Sequence, residues 1–328
     1  PPRFRRGGSP RVDRIAVQST LPTRTLDFES IATLTGLPAV SAESTPPASE
    51  GRTLLLFVSA IEVDHADRIR ALARRWPDAI SVAWLFDNHH RFLWNYETAA
   101  AADIAFPLHS ADIDYFSIAG LDVAGGHLGP HVPSCLAQWT ERQLRRYYAD
   151  AQGAPRSHRL HGHMAFYPVA TRRNRLAHEV AQAMPDCDVR LTFGRAYHEL
   201  GARERFERWR AFKTSLHLPV LGDLSMRVFD ALAAGHVPIV PADTRDLDKA
   251  IPPAEQRRLP IVRLSEYTVA AVRAAHAEAL AAFDAGGEAQ AALRHRYVLE
   301  NHMLGHRVRD IVRHVEAWMT QGASARAW

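Results

Sequence analysis

Cysteine and lysine are both scarce in this chain. Two cysteines, Cys135 and Cys187, occur in 328 residues; so sparse a pair cannot build a disulfide scaffold and fits a reducing compartment. Only Lys213 and Lys249 are lysines among the 40 basic residues, so the net charge of +4 and the pI near 9.3 rest almost wholly on arginine. Long apolar runs are missing too. Residues 54–61 fall far short of the roughly 20 apolar residues that cross a bilayer, and no stretch reads as a signal peptide. The expected location is the cytoplasm, with a basic balance that suits contact with the anionic inner face of a membrane. Several motifs are absent as well. There is no dinucleotide-binding glycine fingerprint and no P-loop; Gly125-Gly126 and Gly286-Gly287 lack the strand–turn–helix setting. No Gly-x-Ser-x-Gly elbow or partnered cysteine nucleophile occurs. Hydride transfer, ATP hydrolysis and serine hydrolysis lose support. Nucleic acid is not an expected partner, because no basic stripe with interleaved aromatics is present.

What remains is globular, with 47% hydrophobic and 23% charged residues, and long enough for two domains. The first ten residues read as a lead-in rich in Arg, Gly and Pro. Strands are expected at residues 14–19, 53–60, 81–86 and 104–109, with helices at 64–76, 96–102 and 138–148. Residues 149–157 are polar with a Gly and a Pro, and read as a linker. A second alternating series follows: strand 159–166, helix 174–184, strands 189–193, 215–219, 237–240 and 260–264, and helix 267–283. The last helix, 297–318, carries an apolar face of Val298, Met303, Val308, Ile311, Val312 and Val315. Such alternation predicts parallel sheets covered by helices, an α/β fold in two halves.

The densest signal lies in residues 213–241. It parses as a short apolar strand, a Gly222-Asp223 turn, a helix capped by Asp223 or Ser225, a stop at Gly235 and a second strand. A strand, turn and helix aim unpaired backbone N–H groups above the turn, where phosphate is the commonest ligand. Arg227 and Asp230, three apart, share a helix face. The arginine can grip a phosphate and the carboxylate can accept hydrogen bonds from ribose hydroxyls. An ordinary surface ion pair is the plainer alternative.

The run resembles the donor-binding segment of exostosin-like glycosyltransferases, a group with the two-domain glycosyltransferase B (GT-B) fold. Lys213, Ser215, Pro219, Gly222, Asp223, Ser225, Arg227, Phe229, Asp230, Ala231, Gly235, Val237 and Pro238 match that pattern, and His236 stands where the family usually carries cysteine. The likeness covers this run alone. It implies two Rossmann-like domains facing across a cleft: an acceptor-binding domain at 11–150 and a nucleotide-sugar domain at 156–300. Residues 301–328 would form a closing helix packed back on the N-terminal domain. It also implies a nucleotide-sugar donor, a glycan or lipid-linked acceptor, and a role in bacterial surface polysaccharide synthesis. No metal or other cofactor is expected. Lys213, Gly222, Asp223, Ser225, Arg227, Asp230 and Arg172 would hold the donor. Arg172, with Tyr167 and Arg173, follows the first strand of the second half, where this fold class often places a basic residue on the diphosphate.

Asp87-Asn88-His89-His90 ends a strand, at the edge that faces the ligand crevice in open parallel sheets. Asp87, His89 or His90 could take the proton from an acceptor hydroxyl, although Asp-Asn is also good turn chemistry. His109 ends the next strand and is placed on the acceptor side. Asp243, after strand 237–240, could line the same cleft. His158, His161 and His163 invite a metal, since His161 and His163 share a strand face, but no neighbouring carboxylate completes the set in sequence. A metal-dependent hydrolase on these histidines and a non-catalytic carbohydrate-binding protein remain the rival readings.

Overall fold

A computed structural model of the protein describes residues 11–19, 26–46, 51–59, 65–121, 127–136, 138–193 and 200–321. The chain divides into two compact units, Pro1–Pro133 with Leu304–Trp328, and Ser134–Met303. Each is built on a sheet whose strand pairings, among the described residues, are all parallel.

In the first unit the strands are β1 (Arg14–Ser19), β2 (Ala39–Ser41), β3 (Thr53–Ser59), β4 (Ile80–Leu85), β5 (Ile104–Pro107) and β6 (His127–Leu128), in the order β2-β1-β3-β4-β5-β6. Ile80 to Leu85 are buried at every position. A continuously apolar strand of this kind is one covered on both faces. The helices are α1 (Phe28–Thr35), α2 (His65–Arg75), α3 (Asn88–Ala101) and α4 (Asp112–Ile118). Asp27 caps α1 by accepting from the Ser30 backbone N at 3.0 Å. The closing helix α12 (Leu304–Gln321) belongs to this unit and lies on α1. Gly305 permits that approach, because a Cβ there would stand 2.7 Å from Leu34 Cδ1 and 2.9 Å from the Ser30 carbonyl oxygen.

The second unit holds β7 (Ser157–Ala165), β8 (Asp188–Thr192), β9 (Phe212–Leu216), β10 (Val237–Pro241) and β11 (Val262–Leu264), in the order β11-β10-β9-β7-β8. Its helices are α5 (Glu141–Asp150), α6 (Thr171–Ala183), α7 (Ala202–Arg210), α8 (Arg227–Ala233), α9 (Leu247–Ala250), α10 (Pro253–Arg258) and α11 (Val269–Asn301). One face packs Leu160, Met164, Leu216 and Ile239 against Leu176 and Val180 of α6 and Val272 of α11. The other packs Val240 against Phe206 and Trp209 of α7, Phe229 of α8 and Leu144 of α5. Successive residues of β10, Ile239 and Val240, therefore enter different cores.

The boundaries differ from expectation in instructive places. The 149–157 segment lies inside the second unit together with α5, and the division falls at Pro133/Ser134. The strand expected at 215–219 runs from Phe212 to Leu216, where it pairs with β7 and β10. Helix α3 begins at Asn88, well before residue 96, with an irregular Arg91 inside it. Helix α11 continues past residue 283 to Asn301, broken locally at Gly287. Among the described residues, no helix is long and apolar enough to cross a membrane.

Candidate functional site

In the second sheet β8 lies on one side of β7, while β9, β10 and β11 lie on the other. The sheet thus reverses its direction of growth between β7 and β9. Open α/β sheets bind ligands outside the strand carboxyl ends at such a switch point. The segments that leave β7 and β9 there are those around Arg172 and Gly222.

Arg173 ties the two ends together. It is 2% exposed, and donates from Nη1 to the Ala165 carbonyl at 2.7 Å and from Nε to the Leu218 carbonyl at 2.8 Å. Burial, then the neighbouring Arg227 charge, lower its guanidinium to about 10, still cationic at neutral pH. After β9 the chain turns sharply. Leu221 and Gly222 have φ of 53° and 86°, and two successive left-handed residues make a turn of the I′ kind. Asp223 closes it, accepting from the Val220 backbone N at 2.5 Å. Arg245, in the loop after β10, donates its backbone N to the Gly222 carbonyl at 2.9 Å. Arg172 lies over the Tyr267 ring at 3.8 Å, and the Tyr267 hydroxyl donates to Asp243 Oδ1 at 3.1 Å. Burial first, with the Asp243 charge and hydrogen bond, pushes the Tyr267 phenol far up, so it stays neutral. Arg227 opens α8, and its charge, after burial, helps hold the enclosed His217 ring down at about 3. Arg172, Arg173, Arg227 and Arg245 thus gather around this end of the sheet with Asp223 and Asp243 among them.

Some expected donor residues are placed elsewhere. Lys213 is the second residue of β9, at the amino edge of a parallel sheet, and donates to Asp284 Oδ1 at 2.5 Å. Asp230 is 1% exposed and accepts from Gln138 Nε2 at 2.5 Å, so it does not stand on the open rim. Neither Asp223 nor Ser225 caps the helix. Asp223 is engaged on Val220, Ser225 Oγ accepts only a long 3.4 Å contact from the Arg227 backbone N, and Met226 occupies the cap position. The helix itself is seven residues long. What the sequence reading missed is Arg245, which belongs to another loop and is brought in by the β9–β10 pairing.

In the first unit Asp87 stands at the carboxyl end of β4 with φ 57°, ψ 28°, and accepts at its carbonyl from the Arg91 backbone N. A left-handed non-glycine residue between a strand and a helix is a strained position of the kind that collects at functional sites. Asn88 is the buried hub beside it. Its Nδ2 donates to Asp112 Oδ2 at 2.8 Å and its Oδ1 accepts from Asn95 Nδ2 at 2.5 Å. His109 follows β5, the neighbour of β4, and is 1% exposed. The Asn88–Asp112 bond therefore links the two strand ends that carry Asp87 and His109. The side chains of His89 and His90 lie outside the described residues.

The histidine trio separates. His158 pairs with Lys213, its Nε2 2.8 Å from the ammonium. His161 and His163 instead meet Asp188 of β8, which no sequence spacing announced. Burial raises the Asp188 carboxyl, but the two histidines outweigh it and hold it well below the usual carboxylate range.

No family model matches the sequence, and no curated protein matches it. Among solved structures the chain is similar to the GtfA/B complex, with 13% identity, a TM-score of 0.40, 81% of this chain covered and 58% of that one. It is similar to the pneumococcal O-GlcNAc transferase GtfA in complex with UDP and GlcNAc, with 11% identity, a TM-score of 0.42, and 81% and 56% covered. It thus spans under two thirds of both proteins. A third is WaaG, a glycosyltransferase involved in lipopolysaccharide biosynthesis, with 10% identity, a TM-score of 0.41, and 91% and 99% covered. By its own strand pairing, the chain is an α/β protein with one parallel sheet in each of two units.

Proposed function

We propose that the protein moves a sugar from a nucleotide-sugar donor to a hydroxyl of a glycan or lipid-linked acceptor, as a glycosyltransferase of the GT-B type. One observation carries this reading: four arginines from three separate segments converge outside the strand carboxyl ends at the switch point of the second sheet. Guanidinium groups match phosphate oxygens two bonds at a time. A diphosphate leaving group gains one negative charge, on its departing oxygen, as the glycosidic bond breaks, and fixed cations aimed at it lower that barrier. Arg227, Arg172 and Arg245 would contact the diphosphate, with Arg173 holding the rim behind them. The Gly222 turn would let the backbone approach, and Ser225 and Asp223 would line its edge. Lys213 and Asp230 have no direct part. The acceptor proton would pass to Asp87, with His89, His90 and His109 nearby in sequence or on the next strand. Bacterial surface polysaccharide synthesis is the setting we infer, and the basic pI of 9.3 suits an acceptor held at an anionic membrane face.

A thermal-shift screen against uridine, guanosine, adenosine, cytidine and thymidine diphosphates tests the donor side. Ligand at 100 times its Kd adds about 2.7 kcal/mol to the folded state, which reads as a rise of several degrees. One nucleoside diphosphate should stand out from its monophosphate and from inorganic phosphate. No shift with any of them at millimolar concentration overturns the reading.

A further inference from the structure

We propose that His161, His163 and Asp188 form a site for one divalent transition-metal ion of the zinc class, on the β7–β8 edge of the second sheet. The parallel register pairs His161 with Asp188 and His163 with Arg190. Residues two apart on a strand project to the same face, so two imidazoles and the carboxylate of the neighbouring strand are brought together by the backbone alone. The ligand atoms all lie within 4.8 Å of one another, with His161 Nδ1 3.2 Å and His163 Nε2 2.9 Å from the same oxygen, Asp188 Oδ2. A tetrahedral ion with bonds of about 2.0–2.1 Å holds its ligands about 3.3 Å apart. Both histidine-to-carboxylate spacings lie near that value.

His161 Nδ1 and Asp188 Oδ2 share a hydrogen bond of 3.2 Å, a contact that an ion between them would replace. His163 Nε2, a buried atom, approaches the same carboxylate oxygen at 2.9 Å. The surroundings orient the ligands as metal sites require. Arg190 Nη2 lies 2.6 Å from Asp188 Oδ1, which leaves Oδ2 to the ion. Phe212 stacks on the His161 ring at 4.7 Å and Trp209 meets it edge-on at 5.1 Å. His161 is 3% exposed and Asp188 6%, while the His163 side chain is 21% exposed, giving a path for the ion and a place for water as a fourth ligand. Imidazole with carboxylate suits zinc, manganese and iron(II) over calcium or magnesium. The site lies on the α7 face of the sheet and does not depend on the sugar-transfer reading.

The test is a zinc titration of metal-stripped, untagged full-length protein against a chromophoric chelator. The wild type should bind one equivalent tightly. His163→Gln and Asp188→Asn, with circular dichroism showing them folded, should each weaken that binding by more than about 100-fold, beyond the loss usual for an outer-shell residue. X-ray absorption of the wild-type zinc complex should count two imidazoles, which keeps the test decisive if a variant fails to fold. Absence of a tight equivalent overturns the proposal. So does undiminished binding in both folded variants, or a zinc shell without two imidazoles.

Discussion

Arg173 and Arg227 are chemically the same residue in two settings, and the difference between them is measurable. Arg173 is enclosed and spends its donors on two main-chain carbonyls; Arg227 is half-buried at the start of α8. Arg173→Ala strips buried carbonyls of charge-assisted partners and should destabilise by about 2–4 kcal/mol, seen as an earlier urea midpoint. Arg227→Ala should leave the midpoint nearly unchanged. It should weaken nucleoside diphosphate binding by about 1.5–3 kcal/mol, read by calorimetry. Equal affinity in the two proteins would remove Arg227 from the donor site. On the acceptor side, Asp87→Asn keeps the left-handed backbone, since asparagine tolerates it as aspartate does. Turnover at saturating donor should fall by about 10²- to 10⁴-fold if Asp87 is the base, with donor affinity intact. Full turnover would return Asp87 to the role of a turn residue. The sequence made Arg227 legible because its run is local. Asp188 and Arg245 were not legible, since each reaches its partners through strand pairing across residues that no spacing rule connects.

Among the elements, the α8–β10 junction was readable and the start of β9 was not. Gly235 ends α8 in a motif fixed within six residues. The His236 backbone N donates to the Ala231 carbonyl and the Gly235 N to the Leu232 carbonyl, both at 2.9 Å, the Schellman arrangement. Such a signal is written in one short stretch. The limits of β9 depend instead on which residues face β7 and β10, a property of three strands together. Two glycines in this region make opposite demands. At Gly235, φ is +84° and a Cβ would stand 2.8 Å from Arg156 Nη2 and 2.9 Å from Ala291 Cβ. At Gly222, φ is +86° but the nearest atom is 3.6 Å away. Gly235→Ala combines left-handed strain with overpacking and should cost about 2–4 kcal/mol. Gly222→Ala carries the strain alone and should cost about 1–2 kcal/mol. Denaturant unfolding of the two variants checks the order, and equal losses would show that the space around Gly235 relaxes freely.

For the whole molecule, 18 histidines raise the question of what acid does to stability, and composition alone could not say which rings fold away from water. His217 is buried, with Nε2 2.8 Å from Ser215 Oγ, and burial lowers it to about 3. His295 stacks on Tyr148 at 4.0 Å, with its Nδ1 2.6 Å from the Ala233 carbonyl, and burial lowers it to about 4. Both rings stay neutral in the folded protein near neutrality, while in the unfolded chain they take up protons below about pH 6.5. Over that range the unfolded state binds more protons, so stability rises with pH. Their contribution is complete above about pH 6.5. It is lost as pH falls, until each folded value is reached near 4 and 3. At pH 5 each neutral ring costs about 2 kcal/mol relative to pH 7, from 1.36 kcal/mol per unit. The melting temperature should therefore drop steadily between pH 7 and pH 5, before the carboxylates begin to titrate. His295→Gln, which has no proton to gain, should flatten that slope by close to one proton's worth while lowering stability at pH 7. A slope unchanged by the substitution would mean that His295 is protonated in the folded protein, and that the Ala233 carbonyl holds a charged ring rather than a neutral one.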